Sequence, residues 1–265
     1  MKYFKLYLLS LLLTSSAFAY TDNDIDGVDD SVDQCLNTPF DVLVGENGCA
    51  FGKKNNGALT LKIGTDISFN KPSDSSTNLN FFANYSYNNW DTSLSNSNYT
   101  SYDNVSGGSS KAGDLYLSAG YLFKYDALHT KLSLGSKIAT ADEGVGTGEN
   151  DYFASVNLNY YVSPKQDFFL YYGYTMSGDS AEIDYEDFSS ISVGAGYAMS
   201  DKWYSGISYD YSGTNIAYGE SYKAFSWFNS YSFTEHFFAT VNYAHGLDDF
   251  SYDHTLSLKL GVTFE

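Results

Sequence analysis

Ser251-Tyr-Asp-His-Thr255-Leu-Ser-Leu-Lys-Leu260-Gly-Val-Thr-Phe264-Glu265 decides the fold. Leu256, Leu258, Leu260, Val262 and Phe264 alternate with Thr255, Ser257, Lys259, Gly261 and Thr263. A period of two means a strand with one apolar and one polar face. In a water-soluble sandwich the apolar face would look into a core. In a membrane barrel it looks at lipid, and the polar face lines the interior. The same alternation recurs back to Ala58, and the chain opens with an export signal. Together these predict an all-β fold, a closed antiparallel transmembrane β-barrel.

Working back along the chain, the pattern predicts strands over 58–70, 79–89, 90–102, 113–125, 128–140 and 151–162. It continues over 167–177, 188–199, 202–212, 220–232, 236–246 and 251–264. Ser and Asn crowd the third segment, and the pattern leaves the facing of the tenth open. About twelve strands are expected, with ten or fourteen compatible. Polar loops are expected over 71–78, 103–112, 141–150 and 177–187. An internal echo supports the registration. Tyr161-Val-Ser-Pro-Lys-Gln-Asp-Phe-Phe169 resembles Tyr197-Ala-Met-Ser-Asp-Lys-Trp-Tyr204 and Tyr231-Ser-Phe-Thr-Glu-His-Phe-Phe238. Each is a strand end, a short polar turn and an aromatic start, as expected at the periplasmic side of a barrel. The longer polar loops alternate with these turns and are expected to face outward. An even strand count places both ends of the barrel in the periplasm.

The composition agrees. The 265 residues include 26 Tyr and 19 Phe, suited to strands at a membrane interface, and only 3 Pro. All 14 basic residues are Lys, and the formal charge of −18 argues against nucleic acid as a partner. Beyond the signal, no apolar run reaches the ~18 residues of a membrane helix.

Residues 1–19 read as a signal peptide: Lys2 and Lys5, the apolar run Leu6 to Leu13, then Ala17-Phe18-Ala19. Residues 20–50 differ sharply. Asp22, Asp24 and Asp26 stand at positions one, three and five of a twelve-residue loop, followed by Gly27 for the turn. Val28 offers a carbonyl at seven, Asp30 stands at nine and Asp33 at twelve. A hard dication needs six or more oxygens, and this spacing converges them, so Ca²⁺ is the expected cofactor. Asp33 stands where an EF-hand carries Glu, and no helical pattern flanks the loop. An acidic, disordered leader is the plainer alternative. Cys35 and Cys49 in an exported chain are expected to close a disulfide, stabilising by about 3 kcal/mol on the chain-entropy model.

With Cys35-Leu36-Asn37-Thr38-Pro39 and Gly48-Cys49, this segment resembles a thrombospondin type 3 repeat, as found in OmpA-type outer-membrane proteins. Leu36 departs from the usual Pro, and Gly45 from a common Asp. The resemblance covers roughly thirty residues. It implies a calcium-rigidified spacer, and says nothing of the barrel. The expected organisation is therefore signal 1–19, calcium module 20–50, linker 51–57 and barrel 58–265.

On this registration Lys62, Lys131, Lys137 and Lys259 fall on the inward face as pore-lining candidates, with Lys124 and Lys223 beside them. Asp142, Glu143, Glu149, Asp179, Glu182, Asp184, Glu186, Asp187, Asp248 and Asp249 gather in the outer loops. Such charges tune selectivity in a water-filled lumen. In a narrower barrel the lysines would instead pair with Asp66, Asp210 or Asp253 and plug it. The four histidines are His129, His236, His245 and His254. His254 and Ser257, three apart on one strand, point to opposite faces, and no nucleophile is evident near His245. No enzyme is expected.

The leading expectation is a porin-like channel for ions or small polar solutes in the outer membrane of a Gram-negative bacterium, its calcium module in the periplasm. Outer-membrane lipids and the barrel-assembly machinery are the expected partners. A structural or adhesive OmpA-like barrel without an open pore is the alternative, and an outer-membrane lipid hydrolase a third.

Overall fold

The chain divides into an N-terminal unit, Met1–Lys53, and a second unit, Lys54–Glu265. A computed structural model describes residues 57–70, 74–103, 107–141, 148–179, 185–216, 219–249 and 251–264, and of the N-terminal unit Val28 and 32–35. The signal peptide, Asp22, Asp24, Asp26, Asp30 and Cys49 lie outside the described residues.

The second unit is a closed antiparallel barrel of twelve strands. They are β1 (Ala58–Asn70), β2 (Asp74–Tyr87), β3 (Trp90–Asp103), β4 (Gly107–Tyr125), β5 (Leu128–Ile138) and β6 (Asp151–Ser163). There follow β7 (Gln166–Met176), β8 (Phe188–Ser200), β9 (Trp203–Ser212), β10 (Tyr222–Ser232), β11 (Phe237–Gly246) and β12 (His254–Phe264). Each strand pairs with its neighbour in sequence, and β1 pairs with β12 from Leu59↔Phe264 to Phe69↔His254. Closure leaves no sheet edge to aggregate.

The molecule is inside-out relative to a soluble domain. Leu134, Ile207 and Leu260 are 69, 64 and 63% exposed, whereas Ala224 and Ala244 are the buried hydrophobics among the described residues. A continuous outward face of Leu, Ile, Val and aromatic side chains is stable only against an apolar solvent. Polar side chains fill the inward face and satisfy one another across strands. Hydroxyl pairs join Ser93 to Ser118 at 2.7 Å, Ser190 to Ser212 at 2.8 Å and Thr60 to Thr263 at 3.1 Å.

The structure corrects two of the expected loops. The loop expected over 71–78 shrinks because β2 begins at Asp74 and pairs with β1 up to Asn70↔Asp74. The Gly/Ser-rich stretch 103–112 is largely strand, since β4 begins at Gly107. In both places an inward face that takes polar residues lets Ser, Asn and Gly carry a strand that hydropathy does not mark. The third strand forms as expected, with Ser93 and Ser95 in inward register and a bulge between Asn96 and Asn98.

The open facing of β10 is also settled. Phe225, Trp227 and Tyr231 share the face of Tyr209, Ile207 and Trp203. The indole N–H of Trp227 donates to Ser205 (2.9 Å) and that of Trp203 to Asn229 (3.1 Å). An indole N–H has no water partner in lipid, so these two outward polar residues satisfy it.

The echoed turns share one device. The hydroxyls of Ser163, Ser200 and Thr234 accept from the N–H groups of Lys165, Lys202 and His236, two residues on, at 3.3, 3.3 and 3.2 Å. The strand shifts register just before the first two turns. The two-residue β2–β3 and β4–β5 turns use positive φ at Asn88 (53°) and Asp126 (46°), which Asn and Asp tolerate and such hairpins require. These five turns, the start of β1 and the end of β12 lie at one end of the barrel.

Candidate functional site

The candidate site is the inward wall. The registers place Lys62, Lys131, Lys137 and Lys259 on it, as expected, and Lys124 also. Lys223 is a correction. It pairs with Tyr211 on the outward face, and its ammonium meets Asp248 at 3.1 Å. Asp248, in the loop after β11, is held below the usual carboxylate range, chiefly by the Ser251 hydroxyl that donates to it at 2.7 Å.

The inward lysines are in different states. Lys137 is 3% exposed and lies 2.8 Å from Asp151 and 3.7 Å from Asp114. Asp114 accepts the N–H groups of Thr140 and Ala141, and Asp151 that of Gly178 (2.9 Å), so this triad also ties two outer loops to the wall. Lys131 pairs with Asp91 at 2.7 Å. Lys259 is 3.9 Å from Asp66, which also accepts from Asn80 (2.6 Å) and Ser257. Lys62 makes no described ion pair. Its ammonium lies 4.8 Å from the Phe82 ring centroid and 5.9 Å from that of Phe238. Lys62 and Lys259 border one cavity of about 310 Å³ with Asn80, Phe82, Ser95 and Tyr116.

Two further inward carboxylates stand out: Asp167, which sequence reasoning missed, and Asp210, which it named only as a partner for a lysine. Asp167 on β7 accepts from Tyr204 (3.0 Å) and Asn159 (3.2 Å). Asp210 on β9 accepts from Ser192, Ser208 and Ser226. No described salt bridge involves either carboxylate. β7 is six strands from β1 in a ring of twelve, so Asp167 lies across the barrel from Lys62, whereas Asp210 on β9 is four strands away. The signal available in sequence was the inward phase of β7 and β9. The hydroxyl partners of Asp210 come from three different strands, and only register identifies them. Of the acidic residues expected in the outer loops, Glu149, Asp179, Glu186, Asp187, Asp248 and Asp249 are described and lie in the connections between strands. Asp142, Glu143, Glu182 and Asp184 lie outside the described residues.

Large inward rings lie along the wall over glycines of adjacent strands. A Cβ at Gly135 would overlap the Phe153 ring, one at Gly194 the Phe169 ring, and one at Gly261 the Phe238 ring. The missing side chain lets the ring lie down, so aromatics line the lumen without crossing it. Gly261→Val is expected to lift Phe238 toward the axis, lowering single-channel conductance and costing about 1–3 kcal/mol of overpacking. Adding Phe238→Ala should restore conductance. If it does not, the ring is not the obstruction.

His129 is in inward register and meets Tyr161 edge-to-face at 4.9 Å, and His236 sits in a short turn. His245 and His254 face outward on β11 and β12. His254 and Ser257 lie on opposite faces.

The fold so defined is that of outer-membrane porins and channels. No family model and no curated protein matches the sequence. Among solved structures, the barrel is similar to an outer-membrane channel from Pseudomonas putida F1, with TM-score 0.59 and 11% identity over 78% of this chain and 94% of that one. It is similar to the NanC porin, with TM-score 0.55 and 10% identity over 78% and 99% of the two chains. It is also similar to the KdgM porin, with TM-score 0.54 and 9% identity over 78% and 98%. At these identities the likeness is one of fold.

Proposed function

We propose that the protein is an outer-membrane channel for ions and small polar solutes, acting without chemistry on them. The observation that carries this reading is the closed twelve-strand barrel with an apolar outer face and a charged, hydroxyl-rich inner face whose aromatic rings lie along the wall. A barrel serving only as an anchor gains nothing from a cation held over aromatic rings beside a cavity. The export signal and the aromatic outer surface support a location in a bacterial outer membrane, among its lipids and reached through the barrel-assembly machinery. The test is single-channel recording of the refolded mature protein in a planar bilayer. Steady, discrete conductance supports the channel. A folded barrel without conductance supports a structural role instead.

The N-terminal unit is read as a calcium-binding, disulfide-closed spacer in the periplasm. Val28 and Asp33 are the two expected ligands within the described residues. Asp33 Oδ1 accepts the Cys35 N–H at 2.7 Å, whereas Oδ2 is buried and accepts no hydrogen bond among the described residues. A buried carboxylate oxygen without a partner is costly, and a cation at that point would satisfy it. Calorimetry of the full chain is expected to show one Ca²⁺ bound and a large loss of affinity in Asp33→Ala. No heat of binding with the disulfide formed would overturn the assignment.

A further inference from the structure

We propose that His245 and His254 form a site for a borderline transition-metal dication, of the Zn²⁺ or Cu²⁺ class, on the outer surface of the barrel at the β11–β12 seam. The two residues face one another directly across that seam. The next pair toward the loop is hydrogen-bonded, Gly246 N–H donating to Asp253 O at 3.2 Å. His245 and His254 therefore form a non-hydrogen-bonded pair, the type that brings side chains closest, with Cα atoms about 4.5 Å apart. Their rings are 5.3 Å apart between centroids and inclined by 27°.

Each ring is held by its Nδ1. His245 Nδ1 donates to the Asp253 carbonyl at 3.0 Å, which fixes that tautomer and leaves the Nε2 lone pair available. His254 Nδ1 is 2.8 Å from the Tyr243 hydroxyl, which can accept its proton and leave the second Nε2 equally available. No described hydrogen bond involves either Nε2. A ligating histidine characteristically donates its other N–H to a carbonyl or similar acceptor, and here both partners are in place. The rings are stacked, so ligation of one ion at about 2.0–2.1 Å by each Nε2 requires them to turn about their side-chain bonds until both lone pairs converge, leaving further positions to water.

The surroundings also suit a cation. The row across the sheet runs Phe225, His245, His254, Phe69, so the pair interrupts an aromatic girdle beside the loop that carries Asp248, Asp249 and Asp253. Aromatic packing alone would be served by a third and fourth Phe. Imidazole, a soft-to-borderline ligand, favours Zn²⁺, Cu²⁺ or Ni²⁺ over Ca²⁺ or Mg²⁺.

The test is titration of the refolded full chain with Zn²⁺ in saturating Ca²⁺, which occupies the acidic N-terminal loop. One Zn²⁺ is expected per barrel, weakened at least tenfold by His245→Phe or His254→Phe, each of which keeps a ring in the girdle. Tyr243→Phe should weaken binding about tenfold through the lost Nδ1 partner. Affinity should fall on acidification, because only neutral imidazole binds. Cu²⁺ on the unmodified protein should give a paramagnetic spectrum with two nitrogen ligands, which needs no variant to fold. Zn²⁺ binding unchanged in the double Phe variant, or a Cu²⁺ spectrum without nitrogen coupling, overturns the proposal.

Discussion

Replacing Lys137 by methionine is expected to cost the barrel about 3–5 kcal/mol, the loss characteristic of removing one member of a buried ionic cluster. Lys137, Asp114 and Asp151 are 3, 8 and 7% exposed. With the ammonium gone, two carboxylates face one another with little water to screen them. Much of the loss is the penalty of that uncompensated charge, so it should largely return in the triple variant Lys137→Met, Asp114→Asn, Asp151→Asn. The asparagine oxygens can still accept the N–H groups of Thr140, Ala141 and Gly178. Urea unfolding of the refolded protein in lipid measures both. A loss below about 1 kcal/mol in the single variant would put the triad in the class of solvated surface pairs.

The second large effect is on selectivity. Lys62→Glu is expected to move the anion-to-cation permeability ratio about tenfold or more toward cations. Two unit charges about 4 Å apart in water interact by about 1 kcal/mol, and the substitution changes the wall by two units. Lys131→Gln should shift the ratio far less, because Asp91 already neutralises Lys131 at 2.7 Å. Asp210→Asn, on the inward face of β9, should shift it toward anions. Reversal potentials in a salt gradient read all three. Equal shifts for Lys62 and Lys131 would mean that ion pairing on the wall does not decide which charges a passing ion meets. The contrast should shrink as salt is raised, because the lumen charges are screened.

The legible part of the fold was the outward face. Lipid demands an apolar residue at every second position, so Leu256 to Phe264 and their counterparts on most strands announce themselves. That is why the strand number, the short turns after Val162, Met199 and Phe233, and the facing of Lys62, Lys131, Lys137 and Lys259 were all readable. The inward face obeys no such rule, since water accepts Ser, Asn and Gly in any order. The start of β2 at Asp74 and of β4 at Gly107 were accordingly missed, and Lys223 was assigned to the wrong face where the pattern of β10 breaks.

The candidate site was legible as positions but not as a state. Alternation determines that four lysines look inward. It cannot determine that Lys137 is locked between two aspartates, that Lys131 is neutralised, or that Lys62 rests on Phe82 and Phe238. Those outcomes depend on cross-strand register, which sets neighbours between segments many residues apart, such as Asp66 with Ser257. The same holds for His245 and His254, nine residues apart in a hairpin whose hydrogen-bonding phase decides whether their rings approach or diverge. The sequence by itself determined a barrel, its approximate strand count and which side of each wall faces lipid, because solvent selects residue type locally. Only the tertiary structure decided which charges remain unpaired, because pairing is a property of neighbouring strands.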